Sequence, residues 1–345
     1  MSVNQRPHLL AAVGLMLIVL IGCGASPKPQ VNLLSMGDWG NNGPKQARVA
    51  EALTKHVRSS DRKFDAMLTA GDNFYVKFTG VDDPKWRSMF EEMYPQSVID
   101  FPFYIALGNH DYEKNDQGRP KWEIEREYAQ VNPNSRWKMP SRWYRLEFPK
   151  EEPLVTALML DSDQPLLGES VWNEQLEWLK TELARPRKSK WLIVVAHHPL
   201  FSNGNHGDNG VLQRTWGPLM QEAGVDLYIC GHDHDLQHLQ LKDWKPTFML
   251  VGGGGATTRP MAGDLRGPFS KAAHGFADLQ FTPNLITVKF IDVEGAVMHA
   301  FTRTPGGKVK VLQSSPSDRA VPRTVKSITR DNAPPRSTTA PFEKD

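Results

Sequence analysis

The sequence predicts an α/β protein, and two observations carry that prediction. Between about residues 31 and 303, short apolar runs of strand length alternate with segments of helical period, the pattern of stacked helical and sheet layers. Several of these runs end in a glycine- or proline-bounded turn bearing a carboxylate, amide, phenol or imidazole. Open α/β sheets build their sites just beyond the carboxyl ends of their strands.

The elements follow in order. Runs at 31–36, 64–69, 103–107, 154–160, 191–196 and 225–230 read as buried strands, because they are apolar without alternation. A helix is expected after the first strand on the face Ala47, Ala50, Leu53 and Val57, and a stronger one over 172–184 on Trp172, Leu176, Leu179 and Leu183. The runs 248–251, 276–281 and 285–291 read as consecutive antiparallel strands. Segment 112–142, rich in Lys, Arg, Trp and Glu, reads either as a substrate-facing insertion or as a solvated loop.

The ends have a different character. Residues 9–21 are an apolar run of export-signal length behind Arg6, and too short for a comfortable membrane span. The run closes on Leu20-Ile21-Gly22-Cys23, which resembles a bacterial lipobox, so 1–22 is expected to be a lipoprotein signal peptide and Cys23 its lipidated end. An uncleaved anchor would give the same topology: an exported domain tethered at its N-terminus, on the periplasmic or cell-surface side. Residues 23–30 are expected to be the lipidated N-terminus and spacer, 31–303 the folded domain, and 304–345 a mostly disordered tail with few large apolar groups.

Composition excludes more than it selects. With 41 basic and 39 acidic side chains the formal charge is +2, so no nucleic-acid partner is expected. The two cysteines, Cys23 and Cys230, make no disulfide framework; Cys230 ends an apolar strand and reads as a small buried hydrophobe. The glycines of 252–255 lack the Lys-Ser/Thr of a phosphate loop and read as a close-approach turn. Of eleven histidines, six (His110, His197, His198, His206, His232 and His234) fall in three short stretches, a distribution that suits metal chemistry.

Five strand ends carry the chemistry: Gly37-Asp38-Trp39-Gly40, Gly71-Asp72-Asn73-Phe74-Tyr75, Gly108-Asn109-His110-Asp111, His197-His198-Pro199 and Gly231-His232-Asp233-His234. Singly, each is as well explained by a turn. Together they deliver metal-compatible groups to what would be one sheet edge. Imidazole with carboxylate suits Zn, Fe, Mn or Ni, and a phenolate at Tyr75 favours ferric iron. Asp72, central in its motif, is the candidate to bridge two ions.

In this order the motifs GDWG, GDNFY, GNHD, VAHHP and GHDH resemble the purple acid phosphatases, especially the small tartrate-resistant type, within the calcineurin-like metallophosphoesterases. The resemblance spans about residues 31–303. It implies a four-layer αββα sandwich of two mixed β-sheets flanked by helices. It also implies that Asp38, Asp72, Tyr75 and His234 hold Fe(3+), and that Asp72, Asn109, His197 and His232 hold a second, divalent ion (Fe, Zn or Mn). The wider superfamily generally lacks the tyrosine. The implied activity is hydrolysis of phosphate monoesters by a metal-activated hydroxide, with the phosphodiesterases of the superfamily as the alternative and a catalytically silent surface lipoprotein as a third reading. His110 is the expected proton donor to the leaving group and Asp111 the carboxylate that orients it. His206 is expected near the substrate phosphate, alongside Asn73 and Asn109. His198 lines the site without an assigned role, and His56, His238, His274 and His299 read as structural. The partners expected are a small phosphorylated substrate and the membrane, with the chain acting as a monomer.

Overall fold

The computed structural model describes residues 1, 29–263 and 265–319. The expected signal peptide, Cys23 and the chain beyond 319 lie outside the described residues. The elements run β1 (Val31–Met36), α1 (Pro44–Ser59), β2 (Ala66–Thr69), β3 (Phe103–Tyr104), α2 (Lys121–Val131), β4 (Trp137–Lys138), β5 (Tyr144–Phe148) and β6 (Val155–Met159). Next come α3 (Gln164–Leu167), α4 (Glu169–Ala184), β7 (Trp191–Val195), α5 (Gly210–Thr215), α6 (Gly217–Ala223), β8 (Leu227–Cys230), β9 (Leu236–Leu239) and β10 (Thr247–Val251). The chain then forms β11 (Phe269–Lys271), β12 (Gly275–Phe281), β13 (Ile286–Asp292), β14 (Val297–Arg303) and β15 (Val309–Ser314).

These strands make two mixed sheets. One has the order β15-β14-β13-β12-β1-β2-β3-β4 and the other β11-β9-β10-β8-β7-β6-β5. Alternate residues of each central strand point to opposite faces, and here both faces are covered. Leu33, Leu68, Ile193 and Ile229 enter the core between the sheets. Their neighbours Leu34 and Met67 pack under α1, and Leu192 and Val194 pack under α4. That double coverage is why the strands read as unbroken apolar runs. The architecture is the four-layer sandwich of two mixed sheets flanked by helices.

The differences from expectation are informative. Residues 248–251 do not continue into 276–281: β10 lies parallel to β8 in one sheet, while β12 pairs with β1 and β13 in the other. Segment 112–142 is not a solvated loop, since it holds α2 and β4 and buries Lys121, Ile124, Glu125 and Trp137. The domain does not stop at 303. β15 pairs with β14, and Asp318 then bonds the chain to β11 through Ser270 O (3.0 Å) and Ala272 N–H (2.7 Å). On α1 the buried face is turned toward Gln46 and Val49, leaving Ala47 exposed.

Candidate metal centre

β1, β2 and β3 of one sheet and β7 and β8 of the other end side by side, so the turns after them meet at one edge of the sandwich. Three of the turn residues sit in the left-handed region: Asp38 (φ 57°), Asp72 (φ 48°) and His232 (φ 69°). Such a backbone is costly for a residue with a side chain and persists where the surroundings hold it. The adjacent glycines make room. A Cβ on Gly108 would lie 2.3 Å from Asp72 Oδ1, and one on Gly231 2.3 Å from Asp38 Oδ2. Gly252 and Gly254 approach Asp233 O and Gly37 O to 2.1 and 2.4 Å by the same construction, which makes 252–255 the close-approach turn its sequence suggested.

All seven expected ligands fall in one cluster, in two overlapping groups. Tyr75 Oη lies 3.1 Å from Asp38 Oδ1, 3.2 Å from Asp72 Oδ2 and 3.2 Å from His234 Nε2. Asn109 Oδ1 lies 3.2 Å from His197 Nε2 and 3.1 Å from His232 Nδ1. His197 Nε2 is 3.3 Å from Asp72 Oδ2, so that single carboxylate oxygen belongs to both groups.

The chemistry of these atoms fits cations. His197 donates its Nδ1–H to Ala70 O (2.8 Å), and His234 its Nδ1–H to Thr257 O (2.8 Å). Each ring therefore turns its Nε2 toward carboxylate, amide or phenol oxygens. Burial opposes a charge on His197, but the Asp72 and Asp38 carboxylates raise it to about 10, so a proton occupies the place a cation would take. Asp38, Asp72 and His197 are buried together, a placement that needs compensating positive charge. Burial drives the Asp38 carboxyl well up. Burial opposes ionisation of Asp72 too, but the charges and hydrogen bonds of His197 and His110 hold it well below the usual range. Burial, followed by the charges of the neighbouring histidines, pushes His232 well down; burial and then the charge of Arg259 push His234 down to about 4. The remaining carboxylate oxygens are held by the backbone: Asp38 Oδ2 accepts from His232 N–H (2.9 Å) and Asp72 Oδ1 from His110 N–H (2.8 Å).

His110 flanks the cluster, its ring centroid 4.5 Å from that of Tyr75. Its Nδ1 bonds Glu113 Oε1 at 2.7 Å, not Asp111. Asp111 is buried among backbone donors, accepting from Gly108 N–H (2.8 Å), Asn73 N–H (2.9 Å) and Asn73 Nδ2 (3.0 Å). Burial, then the Asp72 charge, raises its carboxyl to about 6. Its place is to tie the second motif to the third. Asn73 is likewise committed, with Nδ2 donating to Ala106 O (2.8 Å) and Oδ1 accepting from Trp39 Nε1 (3.1 Å). Fully buried, it does not reach a substrate. His206 does lie at the mouth, its ring 4.1 Å from that of His232.

Several contributors were not singled out in the sequence. Glu113 orients His110. Ser162 Oγ accepts from the backbone of His197 (3.2 Å) and His198 (2.8 Å) and bonds His198 Nδ1 (3.0 Å). Asp233 Oδ1 accepts from His206 N–H at 2.9 Å. Glu113 stands three residues after His110 and Asp233 between two ligands, so proximity to the motifs was the available signal. Arg259 and Ser162 had none.

The chain is similar to known proteins. The family model for calcineurin-like phosphoesterases matches residues 31–236. Tartrate-resistant acid phosphatase type 5 of Mus musculus is 29% identical over 83% of this chain and 94% of its own length, and that of Oryctolagus cuniculus is 31% identical over 80% and 91%. Purple acid phosphatase 4 of Arabidopsis thaliana is 30% identical over 79% and 84%. Among solved structures, GAP50, described as the anchor in the inner membrane complex of Plasmodium, superposes with a TM-score of 0.70 at 23% identity, covering 84% of this chain and 92% of that one. The purple acid phosphatase PPD1 of yellow lupin superposes at 0.62 and 18% identity over 86% and 58%; at these identities the likeness concerns the fold. With the family model covering more than half of the chain and the acid phosphatases aligned over most of it, the chain belongs to the calcineurin-like phosphoesterases, among the tartrate-resistant and purple acid phosphatases.

Proposed function

We propose that the protein hydrolyses phosphate monoesters at a binuclear centre of ferric iron and a divalent Fe, Zn or Mn ion. The observation that carries this reading is the Tyr75 hydroxyl, within 3.2 Å of donor atoms of Asp38, Asp72 and His234. A phenol among two carboxylates and an imidazole is a hard donor set suited to a trivalent ion. Asp38, Asp72, Tyr75 and His234 would hold that ion, and Asp72, Asn109, His197 and His232 the second. When bound, the pair supplies the Lewis acidity that makes water a nucleophile near neutral pH and neutralises charge on the phosphoryl oxygens.

The chain's own residues do the rest. Backbone N–H groups of His110 and His232 fix the carboxylate oxygens turned away from Tyr75, and Ala70 O and Thr257 O fix which nitrogen of His197 and His234 would face the ions. This orientation is the positioning role of groups behind a ligand. His110, held through Nδ1 by Glu113, has Nε2 left to carry a proton to the departing alkoxide. His206 stands beside His232 at the mouth, where the substrate enters.

The purified protein tests this. A visible tyrosinate-to-iron absorption band that disappears in Tyr75→Phe, with aryl monophosphate turnover, is the expected result. A colourless, metal-replete enzyme would remove iron from the reading, and faster turnover of bis-aryl esters would assign a diesterase. A single chain supplies the whole donor set, which supports a monomer. The export run at 9–21 and Cys23 support a lipid-anchored location on the periplasmic or cell-surface side of the membrane. Cys23→Ser should shift the protein from the membrane to the soluble fraction, and unchanged fractionation would remove the anchor.

A further inference from the structure

Arg259 is the cation at the mouth of the cluster that the hydrolytic scheme does not use. Its half-buried side chain donates from Nη1 to His206 Nε2 at 2.7 Å. His206 is itself fixed, by its ring against His232 and by its N–H on Asp233. The backbone leading to Arg259 is fixed as well, because Thr257 O accepts from His234 Nδ1 at 2.8 Å. The guanidinium is thus held at the lip between His206 and His234; its charge also bears on the buried Asp235 carboxylate, but among the described residues no carboxylate forms a hydrogen bond or salt bridge with it.

Two consequences follow from donor counting. His206 Nε2 is an acceptor toward Arg259, so that nitrogen offers no proton to a substrate, and the fixed positive charge on this side belongs to Arg259. A guanidinium has five N–H donors in a planar fork, and the His206 contact uses one. The remaining edge suits a planar or tetrahedral oxyanion. The side chain is secured on His206 and not on any of the seven clustered ligands, which places it at the rim, beside the phosphoryl group that the centre would hold.

We infer that Arg259 is a specificity-determining residue that binds a second anionic group, carboxylate or phosphoryl, carried close to the scissile phosphate. This rests on the phosphoesterase reading above and narrows its substrates to monoesters bearing such a group. Losing a charge-assisted contact of this kind should cost on the order of tenfold to a hundredfold in relative specificity.

The experiment uses the full-length, metal-loaded protein and compares 2-phosphoglycolate, an alkyl monoester with an adjacent carboxylate, against glycerol 2-phosphate, which lacks one. The ratio of kcat/KM for the first over the second should fall on the order of tenfold or more in Arg259→Gln and recover partly in Arg259→Lys. Calorimetry with methylenediphosphonate and inorganic phosphate, neither of which is turned over, should show the preference for the diphosphonate falling in parallel. An unchanged ratio and unchanged relative affinity in Arg259→Gln, at wild-type metal content, would overturn the inference. If the wild type turns over neither ester, the hydrolytic reading fails by itself, and the calorimetric comparison still decides the role of Arg259.

Discussion

The residues around the cluster divide into those that face the substrate and those that hold others in place, and kinetics can separate them. His110 is exposed on one side and held by Glu113. Replacing it with Ala should lower kcat about 100- to 1000-fold for alkyl phosphates and much less for aryl phosphates, whose leaving groups need little protonation. An equal loss on both classes would deny His110 the role of proton donor. Glu113→Gln should give a milder loss with the same dependence on leaving group. Gly108 poses a different test, since a methyl group there would enter the space of Asp72. Gly108→Ala is expected to purify with substoichiometric metal by elemental analysis, and a fully loaded variant would show that Asp72 can retreat without loss.

At the scale of elements, α1 is fastened to its sheet by a polar clasp as well as by packing. Asp278 on β12 is buried and accepts from His56 Nε2 (2.9 Å) and from Arg62. Burial raises its carboxyl, but these two bonds outweigh it and hold the group below the usual range. A carboxylate lowered in the folded state stabilises fully above its unfolded pKa of about 4, and that contribution is lost as pH falls through the folded value. Asp278→Asn should therefore cost about 3 kcal/mol near neutrality, and its denaturation midpoint should converge with the wild type in strong acid. A constant gap across pH would contradict the clasp.

What the sequence disclosed at this scale follows from the same physics. Central strands buried on both faces are apolar throughout, and β1, β6, β7 and β8 stood out for that reason. The turns after them were legible because a glycine beside a polar residue at a strand end is a local signal. β9 and β11 were not, since both are short and lack an apolar run: β9 hides Gln237 and His238 in the interior, and β11 buries Ser270. α2 was misread because its polar residues suggested solvent. Yet Lys121 is fully buried, with Nζ donating to Phe74 O and to Glu113 Oε2 (3.1 Å). The clustering of the seven side chains followed from their motifs residue by residue, but Glu113, Ser162 and Arg259 act through partners that only the tertiary fold brings near.

Across the whole molecule the two sheets are joined by more than apolar contact. His238 on β9 and His299 on β14 bond through Nδ1 and Nε2 at 2.9 Å, with Phe301 stacked on one ring and Phe269 on the other. Burial lowers both imidazoles, His238 well below its ordinary value and His299 to about 4. Both folded values lie beneath the unfolded value near 6.5, so the unfolded chain takes up protons first as the medium acidifies. Their contribution is intact above about pH 6.5 and is lost as the pH falls through the two folded values, that of His299 lying at about 4. Urea midpoints at pH 7 and 4.5 should fall less for His238→Phe/His299→Phe than for the wild type, and equal falls would show that the pair stays neutral by other means.

The origin of the seven clustered side chains also sets an order of events in time. Asp38, Asp72, Tyr75 and Asn109 follow strands of one sheet, whereas His197, His232 and His234 follow strands of the other. Neither sheet alone owns a complete nest, so ion capture is expected late, after the halves have docked. Refolding in a strong chelator should proceed at the same rate as with metal present, and only the lifetime of the finished state should shorten.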